Sequence, residues 1–341
     1  MAQRVFTKIQ TGEQTGTFAA PGSAVAATVI IPGAVATWPT LDRGAGWPEE
    51  GRGRNARNAA GRMHYGARGA TFGLSAEARF ADLQYFLEGH WAGNIAPTGV
   101  GPYVYVTDLE AGSPTIQPRT WQMGSETAQD QWAIRSVLID ELTIGFDDLA
   151  APGFNPWTVE ASCLGVDRTS TALTAALSPL AATMETMQGL YSILSEGTTA
   201  TAFAALAELT TSLIGFKITS QRHLVLLPYG GTTDLAASFG FTEQTTATVT
   251  AKIKVGATSL TDFHDIYLTA GGIGSERRWR IRCDGSGNNV ADLDLRVGIT
   301  KVEPDERSGE GVYTVEAELI DDSTLDALAT LSITNDIAAL V

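Results

Sequence analysis

WTVEASCLG, residues 157–165, is nearly repeated as YTVEAELID at 313–321, and the fold turns on what that echo means. In the first copy Trp157, Val159, Ala161 and Cys163 alternate with Thr158, Glu160 and Ser162. In the second, Tyr313, Val315, Ala317 and Leu319 alternate with Thr314, Glu316 and Glu318. A period of two gives each stretch one apolar and one polar face, which is the pattern of a half-buried strand.

Working backwards from both copies extends the match. WAIRSVLIDELTIGFDD (132–148) alternates through Ile134, Leu138, Leu142, Ile144 and Phe146, and VADLDLRVGITKVEPD (290–305) through Leu293, Leu295, Val297 and Ile299. Before them stand RTWQMG (119–124) and RRWRIRCDG (277–285), then SAEARF (75–80) and TAKIKV (250–255). DLQYFLEG (82–89) and DFHDIYLTAG (262–271) each predict a short helix. Leu83, Phe86 and Leu87 take the places of Phe263, Ile266 and Tyr267, one stripe at helical spacing. VIIPGA (29–34) is matched to VLLPYG (225–230). Blocks recurring in one order predict two copies of one β-rich unit, 1–177 and 216–341.

Between the copies, 178–215 reads as a helical linker. Ser178 suits an N-cap and Pro179 the first helical position, and Met184, Met187, Tyr191 and Leu194 form a stripe. Gly197 breaks it, and ATAFAALAELTTSL (200–213) reads as a second helix. The first copy carries two long insertions, which read as loops at 33–74 and 90–120; loops of such length inside a domain are usually functional or disordered.

The chain has 341 residues, 44% hydrophobic and 18% charged, with a net charge of −15. That balance opposes tight retention of DNA, which needs a surplus of Lys and Arg. The opening MAQRVFTKIQTGEQTG lacks the apolar core of a signal peptide, and AVAATVIIPGAV is short and interrupted by Pro32, so no membrane contact is expected. Cys163 and Cys283 belong to no CxxC pair and read as buried thiols.

The first insertion concentrates Arg43, Arg52, Arg54, Arg57, Arg62 and Arg68 among glycines. One reading is a nucleic-acid arm. The preferred one is a docking arm, since guanidinium forks pair with carboxylates and the rest of the chain is rich in them. The third is a solvated loop. GxSxG, Walker and HExxH patterns are absent, so no catalytic residue, metal site or cofactor is expected and the chain reads as a non-enzyme. DGSGNN (284–289) spaces Asp284, Ser286 and Asn288 like a calcium loop, but Asn289 and Leu295 stand where Gly and Glu belong, so it reads as a hairpin turn. His64, His90, His223 and His264 are far apart and read as surface or helix-face residues.

The assembled pattern resembles the major tail tube protein of long-tailed phages, the siphophages. The likeness begins in TGEQTGTFAAPGSAVAATVIIPG (11–33), continues through SAEARFADLQYFLEG (75–89) and ends in WTVEASCLG. It implies a small β-sandwich with a flanking helix, repeated here in a double-domain form, where the common form has one domain per chain. Inner sheets of neighbouring domains would join a closed barrel. The family's ring has six domains, so two per chain imply three chains in pseudo-sixfold arrangement. Rings would stack through the insertions into a tube that passes double-stranded DNA without binding it. The implied partners are other copies, a tape measure protein and tail terminal and tip proteins; the implied location is the virion tail, assembled in host cytoplasm. Parity offers Glu141, Glu160, Asp292, Asp294, Glu316 and Glu318 as residues facing the channel or the outside. The competing reading is a carbohydrate-binding or adhesive β-domain protein.

Overall fold

A computed structural model describes residues 5–6, 8–14, 22–46, 64–92, 97–111, 116–125, 130–147, 155–177, 185–209, 213–227, 238–255, 275–305 and 311–338; at 5, 41–46 and 64–68 it describes backbone alone. The protein is mainly β. The first half contains β1 (Val5–Phe6), β2 (Lys8–Glu13), β3 (Val29–Ile30), β4 (Val35–Thr37), β5 (Thr40–Gly46), β6 (His64–Glu77), α1 (Leu83–Leu87), β7 (Tyr103–Leu109), β8 (Arg119–Gly124), β9 (Gln131–Phe146), β10 (Thr158–Gly165) and β11 (Asp167–Ser170). The second contains β12 (Ser192–Thr198), β13 (Ala207–Leu209), β14 (Leu213–Gln221), β15 (Leu224–Leu227), β16 (Ser238–Phe241), β17 (Thr246–Lys254), β18 (Glu276–Asp284), β19 (Val290–Pro304), β20 (Val312–Leu319) and β21 (Ala329–Asn335). No helix among the described residues is long and apolar enough to cross a membrane.

Two long strands organise the ladders, and each changes partners along its length. The first half of β9 lies between β8 and β11, and its second half pairs with β10. The first half of β19 lies between β18 and β21, and its second half pairs with β20. Beyond these, β10 pairs β6 and β20 pairs β17. β2 pairs β8 and β3, while β12 pairs β18 and β13. The order β3–β2–β8–β9–β10–β6 in one half thus reads β13–β12–β18–β19–β20–β17 in the other. All these pairings are antiparallel, and short connections join β8 to β9, β18 to β19, β19 to β20 and β12 to β13.

The alternating strands deliver their apolar faces to one continuous core. Val159, Ala161 and Cys163 of β10 are buried there with Val315, Ala317 and Leu319 of β20. Both cysteines are buried and unpaired, and burial raises both thiols, that of Cys283 to about 11. Trp157 packs at a 4.9 Å centroid distance from Phe216 of the other half, and its indole N–H donates to Ser192 Oγ at 2.9 Å. A buried indole N–H usually finds such an acceptor.

Three expectations are corrected. The 178–215 linker is not helical where it is described: Gly189–Tyr191 and Phe203–Ala205 are single 3-10 turns, and β12 and β13 join the sheet. Met187 and Leu194 are buried but Tyr191 is exposed, so the stripe is not one helix face; Met184 lies outside the described residues. Pairing of Ser192–Thr198 along the whole of β18 overrides local helix preference. The 33–74 insertion is not a loop but includes β4 and the β5–β6 hairpin, and 90–120 includes β7, which pairs with β21 of the other half. Finally, 29–34 and 225–230 do not occupy like places: β3 lies on β2, whereas β15 pairs only with β16 among the described strands. The expected helix at 82–89 is α1; its counterpart at 262–271 lies outside the described residues.

Candidate functional site

The halves meet edge to edge. β14 pairs with the second half of β9, from Phe216 opposite Phe146 to Gln221 opposite Glu141. Because β14 also pairs β17, one sheet runs β4/β5–β6–β10–β9–β14–β17–β20–β19. The close approach needs glycine: a Cβ on Gly145 would lie 2.0 Å from the Phe216 carbonyl oxygen. At the far ends, no described strand pairs with the outer side of β19 over 300–304, and β5 pairs only with β6.

A sealed polar cluster reinforces the junction. Arg222, fully buried, donates from Nε to the His90 carbonyl at 2.7 Å and from Nη1 to the Glu110 carbonyl at 2.6 Å and Thr245 Oγ1 at 2.8 Å. His90 places Nδ1 2.8 Å from the Ile139 carbonyl, so that nitrogen carries the proton and Nε2 accepts from Ser220 Oγ at 2.7 Å. Burial and the Arg222 charge push the imidazole down to about 3. This Ser–His pair is sealed from solvent and its imidazole is a feeble base, so substrate cannot reach it. His90 is therefore a core residue in the turn after α1, where a surface or helix-face residue was expected, and neither it nor Arg222 carries a sequence motif that would have marked it.

The sheet's polar face gathers Glu141 and Thr143 of β9, Glu160 and Ser162 of β10, Lys217 and Thr219 of β14, Thr248, Thr250 and Lys252 of β17, and Glu316 and Glu318 of β20. Val35 and Thr37 of β4 border the same depression of about 450 Å³ as Glu141 of β9, although two strands separate them. The charges are not uniform. Glu141 and Glu160 lie among Ser and Thr in the first half. In the second, Lys217 pairs with Asp147 at 2.7 Å, Lys252 with Asp305 at 3.0 Å, and Lys301 with Glu303 at 2.8 Å and Glu316 at 3.7 Å.

Asp292 and Asp294 lie apart from that face, on the half of β19 held by β18 and β21. Arg280 forks onto Asp294 at 2.6 and 2.7 Å, and Arg282 stands 3.8 Å from Asp292. Burial raises the Asp292 carboxyl and the two arginines oppose that. These carboxylates act as cross-strand partners for arginine. Arg43 and Arg68 face each other in the register of the β5–β6 hairpin, while Arg52, Arg54, Arg57 and Arg62 lie outside the described residues. The 284–289 stretch is a hairpin turn, and the Glu185 carboxylate accepts from Ser286 N at 2.7 Å and Asn289 Nδ2 at 2.5 Å. Among the described residues no group of three His, Cys, Asp or Glu is placed to hold a metal ion.

No protein-family model matches the chain, and no curated protein matches it significantly.

Proposed function

We propose that this chain is a structural protein of a phage virion, a double-domain tail tube subunit that closes into rings and stacks into the conduit for DNA. The ladder between β14 and β9 carries the reading. It joins two halves of like pairing order edge to edge and leaves, at opposite ends of one sheet, the outer side of β19 over 300–304 and the β4/β5 edge, where the two-residue β1 lies on β4. A head-to-tail contact of this kind repeats from copy to copy, and closure of the repeat into a ring removes the open edges.

On this reading the chain is two tube-type sandwich domains, 1–177 and 216–341, and the shared pairing order supports two like units while drawing β12 and β13 of the intervening segment into the second. With six domains to a ring the assembly is a homotrimeric pseudo-hexamer. The polar face then lines the bore. Glu141 and Glu160 repel the phosphate backbone, and Lys217 and Lys252 are held by Asp147 and Asp305, which weakens capture of passing DNA. The β5–β6 hairpin with its arginines reaches an adjacent ring and pairs with acidic groups there. A tape measure protein in the bore and terminal and tip proteins at the ends complete the tail.

The tryptophans favour this over a carbohydrate-binding or adhesive role. Trp91, Trp121, Trp157 and Trp279 are fully buried, and Trp38 and Trp132 pack against the core, so none of these rings is free to stack on a sugar. Purified protein imaged by negative-stain electron microscopy across a concentration series tests the proposal. Rings and tubes are expected; compact monomers at every concentration would refute it.

A further inference from the structure

We infer that the two-residue strand β1 is a detachable cap, and that the β4 edge beneath it receives the outer stretch of β19 from a second copy of this chain; the inference rests on the ring-forming reading above. β1 sets Val5 opposite Thr37 and Phe6 opposite Ala36. On its other side β4 sets Val35 opposite Ser75 and Ala36 opposite Leu74.

The second half of the chain supplies the register. Glu316 faces Thr250 as Glu160 faces Ser75, and on β17 Thr250 and Val249 in turn face Lys217 and Ile218. Val35, Ala36 and Thr37 therefore correspond to Lys217, Ile218 and Thr219. The outer edge of β14 is filled by β9, with Ile218 opposite Ile144 and Thr219 opposite Thr143. Ile144 and Thr143 face Val159 and Glu160 as Val302 and Lys301 face Val315 and Glu316. Carried to the open ends, the junction sets Ala36 opposite Val302 and Thr37 opposite Lys301 of the neighbouring copy. Those are the two positions that β1 now holds.

The second half also contains the displaced form of the cap. Thr11 faces Trp121 and Glu196 faces Trp279, so Val5–Phe6 corresponds to Leu190–Tyr191. With β9 on the edge of β14, that pair sits in a 3-10 turn, 67% and 54% exposed. Phe6 is instead buried and stacks on Trp38 at 5.5 Å between ring centroids. One position thus has two states in one chain: paired and buried on an edge without a neighbour, turned out where a strand has arrived. Glu303 stands where Gly145 admits the Phe216 backbone, so that approach is not copied and the new contact centres on Val302 and Lys301. A short cap anchored by one ring guards the free chain against unregulated edge pairing and yields to a longer ladder.

Two cysteine pairs sharing position 37 test this. The Thr143 and Thr219 hydroxyls lie 3.0 Å apart, so Thr37→Cys with Lys301→Cys should cross-link neighbouring copies during assembly. Val5→Cys with Thr37→Cys ties the cap down within one chain. The expected results are an interchain disulfide in assembled T37C/K301C, and oxidised V5C/T37C that stays monomeric until reduced. Phe6→Ala should assemble at lower concentration than the parent protein. Parent-like assembly of oxidised V5C/T37C overturns the cap alone, and assembled T37C/K301C without the interchain disulfide overturns the β19–β4 contact while assembly itself stands. Failure of the parent protein to assemble at any concentration overturns the ring reading and the cap with it.

Discussion

Asp82 and His90 sit on neighbouring turns and titrate in opposite senses. Burial pushes the Asp82 carboxyl up to about 6, against the pull of Arg79. Folded Asp82 keeps a proton that the unfolded chain loses near its ordinary 3.8, so its contribution is full below about pH 4 and is lost as pH rises to about 6. His90, pushed down to about 3, does the reverse: its contribution is present above its ordinary 6.5 and is lost as pH falls. Asp82→Asn removes one side of this opposition. Its urea midpoint should fall more steeply than the parent's between about pH 6 and 4; parallel profiles would contradict the assignment. Arg222→Ala leaves the His90 and Glu110 carbonyls and Thr245 without their donor, and should cost about 3 kcal/mol in equilibrium unfolding. Neither His90 nor Arg222 was legible in the sequence, because their burial is created where segments from the two halves meet. Glu141, Glu160, Glu316 and Glu318 were legible by strand parity. Parity also set Asp292 and Asp294 opposite Leu293 and Leu295, but it does not reveal that β19 changes partners between its halves and that these two carboxylates meet Arg282 and Arg280 of β18.

At the level of elements, alternation made β9, β10, β19 and β20 readable, because each buries one face and the period of two survives along its length. α1 was readable from three apolar residues on one stripe. Residues 192–194 were read as the end of a helix because the force that makes 192–198 a strand, the ladder to β18, comes from residues about eighty to ninety positions away. β7 escaped for the same reason: its partner β21 lies near the other end of the chain. The element on which the architecture depends is the β9–β14 ladder. Gly145→Ala drives a methyl group into the Phe216 carbonyl and should cost about 2–4 kcal/mol by denaturant unfolding, loosening β14 in hydrogen exchange before the rest of the sheet. Protection of β14 amides equal to the parent's would contradict that role.

For the whole molecule, the repeat of WTVEA is the outward sign of a shared order of ladders, and the proposal is that this order continues between chains. Replacing Arg52, Arg54 and Arg57 with Ala should leave rings intact and shorten the tubes seen by electron microscopy; tubes of parent length would remove the docking arm from the account. The central claim is that the contact inside one chain is also the contact between chains. It is tested most directly by the symmetry of assembled particles viewed down their axis by cryo-electron microscopy. The account predicts a pored ring of three chains with near-sixfold repetition and an unbroken inner sheet. A particle without a pore, or a ring in which β19 of one copy does not meet β4 of the next, would contradict it.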